Sequence, residues 1–254
     1  MKSEMKQLHL RDTFDPQHRH ELSAKEKAEV LELHMFLKLK RDGKIKGRAV
    51  AGGNKQGYFI SKWGASSPTV ATEAVMLSCV IDSQEHRDVA TIDIPHAFIQ
   101  TSVEKIEDMA TIIVRGALVD VLVDISPDIY GLYVSTEKKG VKTLILRCHN
   151  AIYGTMVASL LYYKKICKTI THLGFKINPY DPCVANRTID DNQQTILWHF
   201  YDFKISHDDP KFNDKLIKSL KQEYESVFED GTGKMTVNIG KKHKYLGMTL
   251  NYSK

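Results

Sequence analysis

The order of short strands and helices constrains the fold of this chain more than any other feature. Segments with alternating apolar and polar residues, which are typical of strands, flank turn signals at Asp42-Gly43 and at Asp190-Asp191-Asn192. The clearest helical spacing covers residues 158–173 and ends at Gly174, a residue favoured just past a helix. Because strands and helices do not alternate in a regular βαβ rhythm, the pattern predicts an α+β fold around a mainly antiparallel sheet.

The same periodicities predict the individual elements. Ser23 and Glu26 form a capping box that opens a helix reaching about residue 34. Apolar residues recur at helical spacing between residues 70 and 81, and a further helix is predicted at residues 210–228. Residues 116–128 carry no clear pattern. Strands are predicted at residues 35–40, 44–51, 87–94, 111–114, 131–135, 143–147, 183–189, 195–200, 203–206, 234–239 and 245–251.

Composition excludes several classes of protein. Lys and Arg number 36 against 31 Asp and Glu, an excess of 5 that favours polyanionic partners only weakly. The four cysteines form no CxxC pair, so neither a zinc site nor a disulfide framework is expected. The first ten residues are polar, and no apolar run is long enough to span a bilayer. We therefore expect a soluble protein inside the cell, cytoplasmic or nuclear, without a signal peptide or a membrane partner.

Asp93 is the first candidate for a chemical role. It ends the strand predicted at residues 87–94, where its neighbours Ile92 and Ile94 point to the other face. A carboxylate at this position needs water, a hydrogen-bond donor or a cation. It could also cap a helix that begins near residues 96–98, and both interpretations remain open.

Asp202 is the second candidate. An apolar strand at residues 195–200 reaches a tight bend that carries Asp202, and a second strand leads away from it. An acidic residue on a hairpin is often turn chemistry alone. If Asp93 and Asp202 lay on adjacent strands of one sheet, however, they could share a divalent metal, as two-metal phosphoryl transfer requires.

Six short motifs occur in sequence over residues 35–251. They are KGRAVA (46–51), SPTV (67–70), ATIDIPHAFIQ (90–100), AIYGT (151–155), LGF with DPC (173–175 and 181–183) and KYLGM (244–248). In this order they resemble the KARLVA, SPV, LDVKTAFL, (S/A)LYGL, LGF…DPC and KYFLGI motifs of copia-type retrotransposon reverse transcriptases. Six matches in the family's order make a chance resemblance improbable.

The resemblance implies the fingers and palm of a right-handed polymerase, with thumb, RNase H and integrase absent. Residues 1–34 would form an N-terminal segment with one helix. Fingers would cover residues 35–86 and 115–158, and palm residues 87–114 and 159–251. The family's activity is RNA-templated DNA synthesis with Mg²⁺, deoxynucleoside triphosphates and an RNA or DNA template-primer. The resemblance leaves the oligomeric state open.

The resemblance also assigns roles to individual residues. Asp93 and Asp202 match metal-binding catalytic positions. Lys46 and Arg48 match positions that grip the incoming triphosphate, although without the resemblance they would be read as a basic exposed strand. Phe98 matches the aromatic that packs under the sugar and excludes a ribose 2′-hydroxyl; a core aromatic is the alternative.

One position departs from the family pattern in a way that affects catalysis. The family's Tyr-x-Asp-Asp motif corresponds here to residues 199–202, so Tyr201 stands where the first aspartate is expected. A neutral phenol is a poor Mg²⁺ ligand at pH 7, and a loss of several orders of magnitude in rate is expected. Asp208 and Asp209 lie on the order of 20 Å further along the strand and should not substitute.

Two further interpretations remain open. Val157 takes the place of a family glutamine that helps to hold the nucleotide, either as damage or as a subfamily variant. The chain could also be a non-catalytic nucleic-acid-binding remnant or an unselected element fragment. A binding remnant would hold phosphates with the basic hairpin residues Lys38, Lys40, Lys44, Lys46 and Arg48.

Overall fold

The computed structural model describes residues 1–39, 43, 45–58, 65–105, 109–137, 139–228 and 231–253. The chain divides into two compact units. The first contains residues 1–66 and 98–161, and the second contains residues 67–97 and 162–254. The expected turn residue Asp42 and the basic residues Lys40 and Lys44 lie outside the described residues.

The described residues form fourteen strands and seven α-helices. The strands are β1 Phe14–Gln17, β2 Leu31–Leu39, β3 Ile45–Ala51, β4 Asp88–Asp93, β5 Thr111–Arg115, β6 Ser135–Thr136, β7 Lys142–Cys148, β8 Lys176–Ile177, β9 Val184–Ile189, β10 Asn192–His199, β11 Asp202–His207, β12 Thr236–Ile239, β13 Lys242–Tyr245 and β14 Met248–Asn251. The helices are α1 Lys2–Leu10, α2 Ala24–Glu29, α3 Thr72–Gln84, α4 Ala117–Ile125, α5 Pro127–Tyr130, α6 Ala158–His172 and α7 Pro210–Tyr224.

The first unit is built on a sheet with strand order β1-β7-β5-β2-β3, to which β6 adds by pairing with β7. All pairs are antiparallel except β2 with β5. Helices α1 and α4 bury Met5 and Leu8, and Val119 and Leu122, in one core with the sheet residues Ile112, Val114, Leu144 and Leu146. Apolar burial against one face of the sheet therefore stabilises this unit.

The second unit is built on an antiparallel sheet with strand order β12-β4-β11-β10-β9-β8. Along the central strands one face is apolar, and the side chains on it are buried: Ala90, Ile92, Ile196, Trp198, Phe203 and Ile205. Helices α6 and α7 cover this face; the Tyr224 ring of α7 lies 6.5 Å from Phe203. This face also carries Gln194 and Asp88, which bond to Asn213 of α7. Asp93, Asp202 and Lys204 lie on the opposite face.

The predicted α+β class with mainly antiparallel sheets is confirmed. The capping box at Ser23 is also present, with the Ser23 hydroxyl accepting from the Glu26 amide. The helix it opens was predicted to reach residue 34, which is wrong: α2 ends at Glu29. Alternating burial of Leu31 and Leu33 draws this segment into β2 instead.

Other element predictions are also corrected. The N-terminal segment was expected to hold one helix, but α1 precedes α2; it carries few apolar residues and is held by burial of Met5 and Leu8. Residues 131–135 form a 3₁₀ turn, Gly131–Tyr133, before the short β6, and not a full strand. Residues 116–128 contain α4 and the start of α5.

The two units do not follow the boundaries expected for fingers and palm. Residues 67–86 belong to the second unit, because the buried stripe of α3 (Val75, Ser78 and Asp82) faces the same sheet as Asp202. Residues 98–114 belong to the first unit, because β5 pairs with β2 and β7. None of the helices that the structure describes combines the length and apolar character needed to cross a bilayer.

Candidate active site

Asp93 and Asp202 face one another across neighbouring strands. Asp93 is the last residue of β4 and Asp202 the first of β11, and the antiparallel register makes them direct partners. Directly opposed residues of an antiparallel pair have Cβ atoms only about 5 Å apart. The two acids lie 109 positions apart in the sequence, yet strand pairing brings their carboxyl groups to the same face and the same end of the sheet.

Tyr201 lies immediately beside this pair. His199 and Asp202 are partners in the β10–β11 hairpin, which leaves Phe200 and Tyr201 as its two-residue turn. The main-chain oxygen of Tyr201 accepts a hydrogen bond of 3.0 Å from the amide of Ile94, one step beyond Asp93. Phe200 takes a φ of 52°, which is costly for an aromatic residue and is needed by the tight turn.

A cavity of about 510 Å³ opens beside the acid pair. It lies within the second unit, and its lining includes Asp93, Asp202, Thr236, Asn238, Lys242 and Lys244. Two carboxylates and two ammonium groups therefore face one space, an arrangement that suits a ligand with both metal-binding and anionic groups.

The β13–β14 hairpin closes one side of this cavity. Its buried residues His243 and Tyr245 alternate with the exposed Lys242 and Lys244. The Tyr245 hydroxyl donates to the main-chain oxygen of Asp202 at 3.2 Å. His243 donates from Nε2 to the Gly240 oxygen at 2.8 Å, and its Nδ1 lies 3.3 Å from the Thr91 hydroxyl. These bonds fasten the hairpin to the strands that carry the acids.

Sequence reasoning missed this hairpin. It predicted a turn at residues 240–243 and one strand through residues 245–251, whereas the chain reverses at Leu246-Gly247, both with positive φ. The alternation of basic residues with His243 and Tyr245, followed by a glycine, was the signal that could have revealed it.

The electrostatics of the pair favour a bound cation. Partial burial and the neighbouring Asp93 carboxylate raise the pKa of Asp202 from 3.8 to about 6, while His199 acts in the opposite direction. Burial, with the Asp202 charge adding to it, also raises the pKa of Tyr245. A divalent cation with oxygen ligands would relieve this repulsion. Among the described residues no three His, Cys, Asp or Glu side chains are grouped to hold a metal, so the donor set offers a cation two carboxylates.

Asp208 and Asp209, further along the strand, have other partners. Asp208 pairs with His207 at 2.7 Å, and Asp209 caps α7 by accepting from the Lys211 amide at 3.0 Å. The end of β11 that they follow is opposite to the end occupied by Asp202. Neither can therefore add a third carboxylate to the pair of Asp93 and Asp202.

A second group of candidate residues lies within the first unit. The Arg48 guanidinium lies 5.7 Å from the centre of the Tyr153 ring, and the Phe98 ring lies 5.0 Å from it. Tyr153 thus brings together two of the residues predicted to bind a nucleotide. Lys46 lies two residues before Arg48 in β3, on the same face of the strand.

Gly154 explains how Tyr153 reaches this position. The Tyr153 main-chain oxygen accepts from the Ala51 amide at 2.7 Å, so the loop lies directly against the end of β3. Gly154 has a φ of +91°, and a Cβ there would lie 2.1 Å from the Ala51 oxygen. Only glycine permits this approach. Sequence reasoning used this AIYGT motif for the resemblance but gave Tyr153 no role.

Comparisons with known proteins assign neither family nor function. No protein-family model matches the chain, and no curated protein matches it. Among solved structures it is similar to the telomerase of Candida albicans in complex with a fragment of telomeric RNA (9% identity, TM-score 0.48, covering 98% of this chain and 49% of that one). Apo telomerase from Candida tropicalis gives 9% identity and a TM-score of 0.48, covering 99% of this chain and 50% of that one.

The prototype foamy virus protease-reverse transcriptase gives 13% identity and a TM-score of 0.43, covering 94% of this chain and 28% of that one. The chain thus spans about half the length of the telomerases it matches. With TM-scores below 0.5, these similarities by themselves carry no functional assignment.

Replacing Asp202 should change the pH dependence of stability. A carboxyl whose folded pKa is raised binds its proton more tightly in the folded than in the unfolded state, so stability falls as the pH rises from about 4 to about 6. We expect Asp202→Asn to raise the free energy of unfolding at pH 7.5 by on the order of 1 kcal/mol after solvent screening, and to have little effect at pH 4.

Urea unfolding of both proteins between pH 4 and pH 8 measures this difference. Asp191→Asn, in an exposed turn, is the matched control and should show no such pH-dependent gain. An Asp202→Asn gain that stays constant across the range would contradict the raised pKa.

Proposed function

We propose that this chain is the fingers and palm portion of a copia-type reverse transcriptase, and that Tyr201 has impaired its polymerase site. The direct pairing of Asp93 with Asp202 at one end of the second unit's sheet carries the proposal. The motif order and the strand register support it independently, because the first is a property of the sequence and the second of the strand pairing. The residues of the motifs do not by themselves require Asp93 and Asp202 to be cross-strand partners.

The proposed cofactor is Mg²⁺, for which the facing carboxylates of Asp93 and Asp202 are suitable hard ligands. When bound, Mg²⁺ would neutralise phosphate charge and promote attack by a primer 3′-hydroxyl. The contribution of the chain is to hold the two carboxylates in register. Tyr201 offers a phenol where a third acid would concentrate more negative charge, so cation binding should be weak.

The proposed substrates are deoxynucleoside triphosphates and an RNA or DNA template-primer. In the first unit Arg48 offers a planar guanidinium, which suits phosphate oxygens, with Lys46 beside it. Phe98 and Tyr153 offer aromatic faces suited to packing against a sugar or base. Positioning and charge stabilisation supply nearly all of the rate enhancement in phosphoryl transfer, so loss of one carboxylate should cost several orders of magnitude.

Restoring the carboxylate tests the proposal. We expect no primer extension from the natural chain and measurable extension from Tyr201→Asp, with Mg²⁺ or Mn²⁺, a primed homopolymer template and labelled deoxynucleotides. The expected gain is at least about a hundredfold over background, because one charged group at such a centre is worth several kcal/mol.

The matched control is Tyr201→Asp combined with Asp202→Asn, which should return activity to background. Tyr201→Phe separates loss of the phenol from gain of a carboxylate and should remain inactive. Efficient extension by the natural chain would overturn the proposed impairment. A folded Tyr201→Asp protein without extension would count against the polymerase assignment.

A binding role without catalysis is supported by one feature of the β2–β3 hairpin. Phe36 pairs with Arg48 and Lys38 with Lys46, so these side chains share one face of the hairpin. Phe36 is 60% exposed, and the three basic residues are also exposed. An aromatic ring among cations is an arrangement that binds single-stranded nucleic acid by stacking and phosphate contacts.

The salt dependence of binding tests this role. Removing two phosphate contacts with Lys38→Ala and Lys46→Ala should lower the slope of log K against log salt by about 1.4, at about 0.7 per contact with a single strand. The measurement is fluorescence anisotropy with a labelled oligonucleotide from 50 to about 300 mM salt. Lys176→Ala with Lys218→Ala, both exposed and in the second unit, is the control. An equal loss of slope in both pairs would contradict a specific hairpin surface.

A further inference from the structure

A buried ion pair lies on the same face of the sheet as the two acids. Lys204 of β11 and Asp82 of α3 are each 1% exposed, and the Lys204 ammonium bonds to Oδ2 of Asp82. The ammonium also donates to the Ser78 hydroxyl at 3.0 Å, and the Tyr252 hydroxyl donates to the same Asp82 oxygen at 3.3 Å. A charged pair is thus enclosed within the second unit, close to the candidate metal site.

Strand geometry places this pair next to the acids. Lys204 follows Asp202 by two residues, so both side chains project from the same face, with Cα atoms about 7 Å apart. Thr91, the direct partner of Lys204, lies two residues before Asp93 and bonds to His243 in the wall of the cavity. An extended lysine side chain is long enough to reach the carboxylate two positions away.

Stability alone does not account for the pair. Burying a Lys–Asp pair costs several kcal/mol per ion in desolvation, and well-packed apolar residues usually serve as well or better. The same face already holds buried apolar side chains at Leu197, the other partner of Lys204, and at Val89. An apolar side chain at position 204 could therefore pack against Leu197 and Val89 on this face.

The bonding of Asp82 is directed at Lys204. Its Oδ2 takes the ammonium and the Tyr252 hydroxyl, whereas its Oδ1 is buried without a hydrogen-bond partner in the described part of the chain. An unsatisfied buried carboxylate oxygen is destabilising. Asp82 therefore leaves one carboxylate oxygen without a hydrogen bond, while the other oxygen orients the Lys204 side chain.

We propose that Asp82 is a positioning residue that holds the Lys204 ammonium away from Asp93 and Asp202 and so leaves the acid pair open to a divalent cation. This inference rests on the proposed function insofar as the acid pair is a cation site. Without Asp82, the Lys204 side chain would turn along β11 toward the carboxylates of Asp93 and Asp202. There it would act as a tethered ammonium that competes with the metal.

Metal binding to the full chain tests the proposal directly. In the Tyr201→Asp background, Mn²⁺ affinity is measured at pH 7.5 from the electron paramagnetic resonance signal of free Mn²⁺. We expect Asp82→Asn to weaken Mn²⁺ binding by about tenfold, because the positive charge of a Lys204 ammonium beside the two carboxylates repels the bound Mn²⁺. Adding Lys204→Met to Asp82→Asn should restore the affinity, since the competing ammonium is gone.

The rescue separates positioning from a structural role. If Asp82 only supported the fold, removing Lys204 as well would not restore Mn²⁺ binding, and that result would overturn the proposal. Unchanged affinity in Asp82→Asn would also overturn it. Should Asp82→Asn fail to fold, Lys204→Gln in the Tyr201→Asp background removes the ammonium and leaves Asp82 in place. Because Asp82 already holds the ammonium away from the acid pair, Mn²⁺ affinity should change little in Lys204→Gln, and a gain of about tenfold would overturn the proposal.

The Asp202→Asn variant distinguishes this inference from the proposed function. If Mn²⁺ binding in the Tyr201→Asp chain does not depend on Asp202, the acid pair is not a cation site and the proposed function itself fails. If binding depends on Asp202 but not on Asp82, only the positioning role is overturned.

Discussion

The register between β4 and β11 is the constraint on which the candidate site depends. A slip of one residue would turn Asp93 and Asp202 to opposite faces of the sheet, because side chains alternate along a strand. Burial of Ile92, Phe203 and Ile205 under α6 and α7 fixes that register. The apolar face of the second unit therefore determines the geometry of the acidic face.

The face of the second sheet that carries Asp93 and Asp202 has several energetically unfavourable features. Burial and the facing Asp93 raise the pKa of Asp202, the two-residue turn forces Phe200 to a positive φ, and Asp82 with Lys204 buries an ion pair. Unfavourable features of this kind are found where function demands them. Their concentration on one face, opposite a well-packed apolar face, separates the part of the second unit that stabilises it from the part suited to chemistry.

Strand and helix periodicity predicted the α+β class, and the ordered motifs pointed to Asp93 and Asp202 as a candidate pair on condition that their strands are neighbours. The register between β4 and β11 meets that condition. Sequence reasoning failed where tertiary contacts override local pattern. Leu77 belongs to the apolar spacing at residues 70–81 but is 62% exposed in α3, whereas Ser78 and Asp82 are buried against Lys204. The burial of polar residues such as Ser78 and Asp82 cannot be predicted from apolar periodicity, because it depends on a partner elsewhere in the sequence. The Tyr153 contacts were likewise invisible, since they depend on a backbone approach at Gly154.

The central claim is that Asp93 and Asp202 form one cation site. Anomalous diffraction from Mn²⁺-soaked crystals of the full chain measures this most directly, since it locates the ion without reference to activity. The account predicts an anomalous peak between the two carboxylates, within about 2.5 Å of an oxygen of each. An anomalous peak elsewhere, with no metal at either carboxylate, would contradict this claim.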